Sequence, residues 1–463
     1  MRLERDPLGV LALPDDAYYG IQTLRAVRNF PVTGRRVRSE LIFSYAAIKK
    51  AAALNNRELG ILDRERGEVI VAAADEILAG KLTDQFPVDI FQVRAGTSFN
   101  MNLNEVIANR ALELLGRRRG EYEYLSPNDH VNLAQSTNDT FPTSCHIAIM
   151  KDAQVLDRVL LDLAASLKQK GERFVSLSKT GRTHLMDAIP VTLGDEFLAY
   201  ASAISRAAKR IRERGSELLE VAIGGTATGT GANAPPEYRD AVIRNLREIT
   251  GLGLVPARNS FEALQSRAEM GAFSSSLREL ALELIRIAND LRLMNSGPSV
   301  DLDEIILPPV QPGSSIMPGK VNPVMAECAD MIAFQIIGND AVVSMASQAD
   351  QFELNVMTPI IVNNVLESIN LLNHYLPVFT THCIDGIEPN RDHLLMSVPT
   401  NPILATLLTP RIGYLKAAEI AHESMVNHRP IRDLAVEWGI LTEAEADAIF
   451  DLHALSKSQY RND

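Results

Sequence analysis

Between roughly residues 150 and 390, apolar residues recur at spacings of three and four over long stretches. KDAQVLDRVLLDLAASLKQKGERF, DEFLAYASAISRAAKRIRERGSELLEVAIGG, SSSLRELALELIRIANDLRLMNSG, AECADMIAFQIIGNDAVVSMAS and VNNVLESINLLNHYLPVFTTHC all carry this period with few interior breakers, as amphipathic helices do. The second run ends in a glycine pair, a natural helix stop. All are longer than an average globular helix. ALELIRIAND and CADMIAFQIIG are apolar or small around much of the helix circumference, and such helices must be covered on more than one face. The pattern predicts a mainly α protein with a central long-helix bundle, its subunits packing bundle against bundle.

The flanking segments differ. Up to residue 136, short helical stretches such as SELIFSYAAIKKAAALNN and GEVIVAAADEILAGK alternate with loops. DPLGVLALPDDAYYG reads as loop, because Pro7 and Pro14 remove backbone donors and Gly9 and Gly20 permit turns. From residue 393, Pro399, Pro402, Pro410 and Pro430 punctuate short helices, and Thr442 followed by Glu445 predicts a capping box. Three domains are expected: 1–136, mixed helical; 137–392, the helical bundle; and 393–463, small and helical.

Composition narrows the function. A net charge of −12 over 463 residues argues against nucleic acid as the main partner, while leaving room for a local cationic pocket. Cys145, Cys328 and Cys383 are widely spaced and fit buried free thiols better than a disulfide framework or zinc site. The N-terminus has no apolar signal core, and no run of about 18 apolar residues predicts a membrane span. A cytoplasmic protein is expected.

GSSIMPGKVNP, Gly313 to Pro323, ends a glycine-rich stretch in Gly-Lys, as a phosphate loop does. The spacing is wrong, however, and Val321 stands where a Walker loop needs Ser or Thr. GGTATGTG, Gly224 to Gly231, fails the dinucleotide fingerprint in the same way. Convergent N–H groups around Gly313 and Gly319, with Lys320, Asn322, Ser314 and Ser315, suit an anion nest. Composition alone favours a flexible connector; the bounding prolines and the lysine tilt the reading away from it.

RAGTSFNMNLNE, SPNDHVNLAQSTNDTFPTS and GRTHLMDAIPVTLG are further polar islands. Each alone fits a helix cap. Taken singly, His184 fits a core histidine, and Asp139 and Glu327 fit surface or capping acids. Together the islands supply neutral donors suited to carboxylates.

GSSIMPGKVNP resembles the signature of the aspartase/fumarase superfamily, and GTSFNMNLNEV, HVNLAQSTNDTFPT, GRTHLMDA and GGTATGTGAN resemble its other blocks in the same order. The Ser-Thr-Asn triplet at 136–138 and the opening DAYYGIQTLRAVRNFPVTG are closest to its aspartase branch. The resemblance implies a homotetramer with active sites shared between three subunits. It also implies a small dicarboxylate substrate, no metal or organic cofactor, and loss of ammonia or, alternatively, water. A substituted aspartate is a third substrate class. Carried over by motif, Ser314 is the base that removes the C3 proton. Ser315, Thr97, Ser136 and Thr137 contact the adjacent carboxylate, with Ser98 beside them in the substrate-binding set. Thr183, Lys320 and Asn322 hold the other carboxylate. Asn138 and His184 lie near the leaving amine, and Glu327 pairs with His184. The chain departs from the family pattern at Arg94, Ser299 and Thr409.

Overall fold

In the computed structural model the apolar periodicities fold as five long helices: Thr137–Phe174, Leu193–Glu217, Ala268–Met294, Val324–Ser347 and Thr358–His382. The structure describes residues 1–92 and 94–456; the side chains of Arg94, Leu452 and His453 lie outside the described residues. Among the described residues, strands form only two-stranded sheets. No helix among them is long and apolar enough to cross a membrane. The chain gathers into two compact units. Met1–Asp157, Lys209–Ala281 and Phe334–Asn373 make up the first, and Arg158–Ala208, Leu282–Ala333 and the chain from His374 onward make up the second.

In the first unit, helices Ser39–Glu58, Arg64–Leu78 and Thr97–Leu114 surround a cluster of Tyr45, Phe86, Phe99 and Phe141 rings in tilted and edge-on contact. Gly96, at φ 90°, starts the helix Thr97–Leu114; a Cβ there would stand 2.4 Å from the Phe141 ring. Buried Glu105 on this helix accepts hydrogen bonds from the backbone N–H groups of Gly20, Gln22 and Thr23 and from the Thr23 hydroxyl. It thereby fixes the segment that enters the helix Ile21–Asn29. Between the long helices, Asp340 accepts from Ser274 at 2.7 Å and Arg278 at 2.9 Å.

Two loop and stop expectations are corrected. The opening segment, expected as loop, is a β-hairpin in which Arg2–Asp6 pairs antiparallel with Gly9–Leu13. Pro7 lies in its two-residue turn, where a missing N–H is not needed by the ladder, and Leu8 N–H donates to Asp6 Oδ1 at 2.9 Å. The helix Leu193–Glu217 stops before the glycine pair, because Glu220–Val221 pairs in parallel with Val255–Pro256. The thiols also divide: Cys145 and Cys383 are buried, whereas Cys328 is half-buried.

The second unit contains the hairpin Ser178–Thr183 and Met186–Thr192. Its first strand is held by charge. Lys179 is fully buried and donates to Glu304 at 2.6 Å and to both Glu196 oxygens at 2.9 Å, while Arg182 also pairs with Glu304. Further along, Leu404, Leu408, Ile420, Ile431, Leu434 and Phe450 form a separate small core. There Thr442 and Glu445 make the expected capping box.

A buried pair that loses one partner leaves an uncompensated charge, typically at a cost of about 3–5 kcal/mol. Lys179→Met should therefore lower stability by about that amount, measured by urea unfolding at fixed protein concentration. A loss below about 1 kcal/mol, the range of exposed pairs, would show that this cluster does not fix the hairpin.

Candidate active site

The predicted site residues fall into two polar groups, one in each unit. In the first, the STNDTFPTS island, expected as a polar cap, runs on into the opening turns of the helix Thr137–Phe174. Its hydroxyls bond back along the helix: Thr140 to the Ser136 carbonyl and Thr143 to the Asp139 carbonyl, each at 2.7 Å. Inward bonding of this kind satisfies side chains that otherwise favour caps and turns. Ser136 Oγ accepts from Asn138 N–H at 3.2 Å.

Asp139 brings a distant segment to this helix start. One carboxylate oxygen accepts from Ser136 N–H at 3.1 Å, and the other accepts from Gly224 N–H and Thr226 N–H, both at 2.9 Å. Burial pushes its carboxyl up to about 7, against the opposing pull of those three N–H groups. Asn138 adds a bond from its amide nitrogen to the Ala227 carbonyl at 2.8 Å. These contacts shape an open polar pocket. Thr97, Ser136, Thr137 and Asn138 line it together, with Asn100, Asn132 and Gln135 beneath and the 226–233 turn on one side. Ser98 is not among its lining residues.

The second group lies on the hairpin and the Gly313–Pro323 loop. GRTHLMDAIPVTLG, expected as a polar cap, spans a hairpin whose two turn residues, His184 and Leu185, have φ 57° and 61°. Tight hairpin turns with two positive φ values favour Asn-Gly or Asp-Gly. Two bulky residues there carry backbone strain, which concentrates at functional sites. His184 and Thr183 are exposed at the tip, so His184 is no core histidine.

The loop is closed at its base. Gly313 N–H donates to the Lys320 carbonyl at 2.8 Å, and the Asn322 amide donates to the Gly313 carbonyl at 2.6 Å. A Cβ on Gly313 would lie 2.4 Å from the Lys320 carbonyl oxygen. Inside it, Ser314 Oγ accepts from Ile316 N–H at 3.2 Å and Met317 N–H at 3.0 Å. The N–H groups thus converge on a serine, not a phosphate site. The short strand Ile305–Ile306 upstream is unlike that of a nucleotide-binding loop. Ser315 and Lys320 are exposed. Glu327 sits in the first turn of the helix Val324–Ser347; within the chain no hydrogen bond or ion pair joins it to His184.

Among the described residues, no group of three or more His, Cys, Asp or Glu is placed to hold a metal. Of the departures, Ser299 is exposed and Thr409 opens the short helix Thr409–Ile412; the Arg94 side chain lies outside the described residues. Sequence reasoning missed Gln22 and the 226–233 turn as lining. The signal for the turn was available in GGTATGTGAN, but nothing near Gln22 marked it as polar lining.

A family model described as Lyase matches residues 9–338, and one described as Fumarase C C-terminus matches residues 404–457. The chain is 49% identical to an aspartate ammonia-lyase of Bacillus subtilis (strain 168), over 98% of this chain and 96% of that protein. It is 46% identical to a class II fumarate hydratase of Thermosynechococcus vestitus, over 96% of both. The crystal structure of fumarate lyase:delta crystallin from Brucella melitensis bound to cobalt superposes with a TM-score of 0.96 at 43% identity, covering 99% of this chain and 100% of that one.

The Gly313 contact yields a test independent of activity. Gly313→Ala should force the loop base apart and speed tryptic cleavage after Lys320 on the order of tenfold, a shift of about 1.4 kcal/mol in local opening. The thermal midpoint should stay unchanged. Cleavage at the parental rate would mean that the base is not held by this close approach.

Proposed function

The chain belongs to the aspartase/fumarase superfamily of lyases, and from that premise we propose that it eliminates ammonia from L-aspartate to give fumarate. The observation that carries the mechanism is the environment of Ser314. A hydroxyl is ordinarily protonated and a poor base. Two backbone N–H groups already donate to Ser314 Oγ, and hydrogen bonds to the charged form of a group favour that form. Lys320, in the same loop, adds positive charge when the loop closes over substrate. Closure also excludes water, which strengthens each of these interactions.

Removing the C3 proton places a second negative charge on the neighbouring carboxylate, giving an aci-carboxylate. Stabilising that charge with preorganised donors is the main catalytic task. In this reading Thr97, Ser136, Thr137 and Ser315 supply hydroxyl donors to it. Thr183, Lys320 and Asn322 hold the other carboxylate; Asn322 has one amide hydrogen engaged by Gly313 and one left over. His184, paired with Glu327 of another copy, and Asn138 attend the leaving group. Asn138 has its amide nitrogen committed to Ala227, so its carbonyl oxygen is the free end. An acceptor there suits an ammonium, which only donates.

The two residue groups would complete one another in a homotetramer in which three copies contribute to each site. One face of the helix Val324–Ser347 favours such assembly: Met331, Phe334 and Met345 are 62%, 57% and 68% exposed along one stripe, and apolar patches of this kind mark interaction surfaces. Buried Cys145 and Cys383 fit a cytoplasmic setting. The alternative reading, hydration of fumarate to L-malate, is favoured by the similarity to class II fumarate hydratases. A substituted aspartate would follow if Arg94 reads an added anionic group.

Fumarate absorbance should rise with L-aspartate and not with L-malate; the reverse would make the enzyme a hydratase. Loss of a general base typically reduces turnover by about 100- to 10,000-fold, and Ser314→Ala should do so without lowering the thermal midpoint. Retention of a tenth of the rate would remove Ser314 from the base role. Arg94→Gly with an unchanged profile across C4 acids would eliminate its part in substrate choice.

A further inference from the structure

Beneath the pocket in the first unit lies a lysine outside the motif blocks. Lys49, in the helix Ser39–Glu58, is fully buried. Its ammonium donates to Asn132 Oδ1 at 3.1 Å and Gln135 Oε1 at 2.9 Å, and it sits 5.2 Å from the centre of the Tyr45 ring. Asn132 Oδ1 also accepts from Asn100 Nδ2 and Asn104 Nδ2, each at 3.2 Å. The Asn132 amide nitrogen donates to the Gln135 carbonyl at 3.2 Å, and the Gln135 amide nitrogen donates to the carbonyls of Val131 and Leu133. Both carbonyl ends therefore face the lysine, and both NH₂ ends face backbone oxygens.

This order propagates to the surface of the pocket. An amide can be placed with its oxygen and nitrogen exchanged, and only its partners decide which end points where. Lysine has no acceptor, so Asn132 and Gln135 must turn their oxygens toward it. Asn100 must then present its NH₂ to Asn132. The same NH₂ donates to Thr137 Oγ1 at 2.9 Å. With that oxygen accepting from below, the Thr137 hydroxyl proton is free to point into the pocket.

We propose that Lys49 is a positioning residue that sets the donor polarity of the pocket: by pinning the Asn132 and Gln135 carbonyls it commits Asn100 to donate to Thr137, and so commits the Thr137 proton to a substrate carboxylate. The inference rests on the reading of Thr137 as a carboxylate donor. Burial pushes the Lys49 amine down to about 7, with Asp139 pulling the other way. The ammonium form is the one that compels the amide orientations; the neutral amine still offers two N–H donors to the same two oxygens, but its lone pair no longer forbids a flipped amide. Burying this group is itself unfavourable, so its retention in the core points to a task other than stability.

Activity and stability therefore separate in the test. Lys49→Met keeps the shape, removes both donors, and relieves the desolvated amine. We expect kcat/KM for the C4 acid that the wild type turns over to fall by about 100-fold, the scale of a misplaced reacting group, while the thermal midpoint stays level or rises. In a Thr137→Val background, which has no hydroxyl to orient, Lys49→Met should change kcat/KM by less than about threefold, since residues acting through one contact are non-additive. Asn100→Asp supplies a second variant of nearly equal size: a carboxylate only accepts, so the Thr137 proton turns inward and kcat/KM falls by a similar factor. Wild-type kcat/KM in either single variant, or a full loss for Lys49→Met on the Thr137→Val background, overturns the inference while leaving the lyase reading intact. A wild type inactive on all C4 acids overturns both.

Discussion

The carboxylate of Asp139 joins two stretches of chain that sequence keeps far apart. Its oxygens accept from Ser136 N–H at the start of the helix Thr137–Phe174 and from Gly224 and Thr226 N–H in the turn that faces it. Both walls of the pocket are defined by those three bonds. Buried N–H groups must find acceptors, and three of them here find one side chain. The helix start and the turn are thereby held in one geometry before any ligand arrives, which is what preorganised catalysis requires.

The pocket that results holds hydroxyls and amides at its surface and places its charges elsewhere. In the first unit Lys49 sits below the lining, spent on Asn132 and Gln135. In the second, Lys179 and Arg182 are spent on Glu196 and Glu304 and anchor the hairpin that presents Thr183 and His184. A neutral donor avoids the large desolvation penalty of a buried unpaired ion and can still move a short bond toward a developing anion. An acidic chain with net charge −12 can thus serve an anionic substrate class. The exposed loop cation, Lys320, is the exception, and it belongs to a segment closed at its base by Gly313 and Asn322.

Much of this was legible in the chain. The long helices announced themselves through three-and-four spacing, the Thr442 box through its cap residues, and the shared pocket lining of Thr97, Ser136, Thr137 and Asn138 through the two motif blocks that carry them. Local structure was harder. STNDTFPTS reads as a cap because Thr, Asn and Ser favour caps and turns, yet Thr140 and Thr143 lie within the helix and turn their hydroxyls onto its carbonyls. GRTHLMDAIPVTLG hides its hairpin because His184 and Leu185 replace the usual Asn-Gly turn. Lys49 left a fainter trace: it stands four residues from Tyr45 and from Ala53, on the buried side of its helix. Only the fold revealed what that lysine touches.

The account turns on neutral donors receiving a carboxylate at the start of the helix Thr137–Phe174. A crystal structure of the assembled protein with succinate, a C4 dicarboxylate that cannot lose a leaving group, tests this directly. One carboxylate should lie about 3 Å from the hydroxyls of Thr97, Ser136 and Thr137, at hydrogen-bond distance, with Ser314 of another copy brought over the adjacent carbon. Succinate bound elsewhere, or held by side-chain cations while these hydroxyls face water, would contradict it.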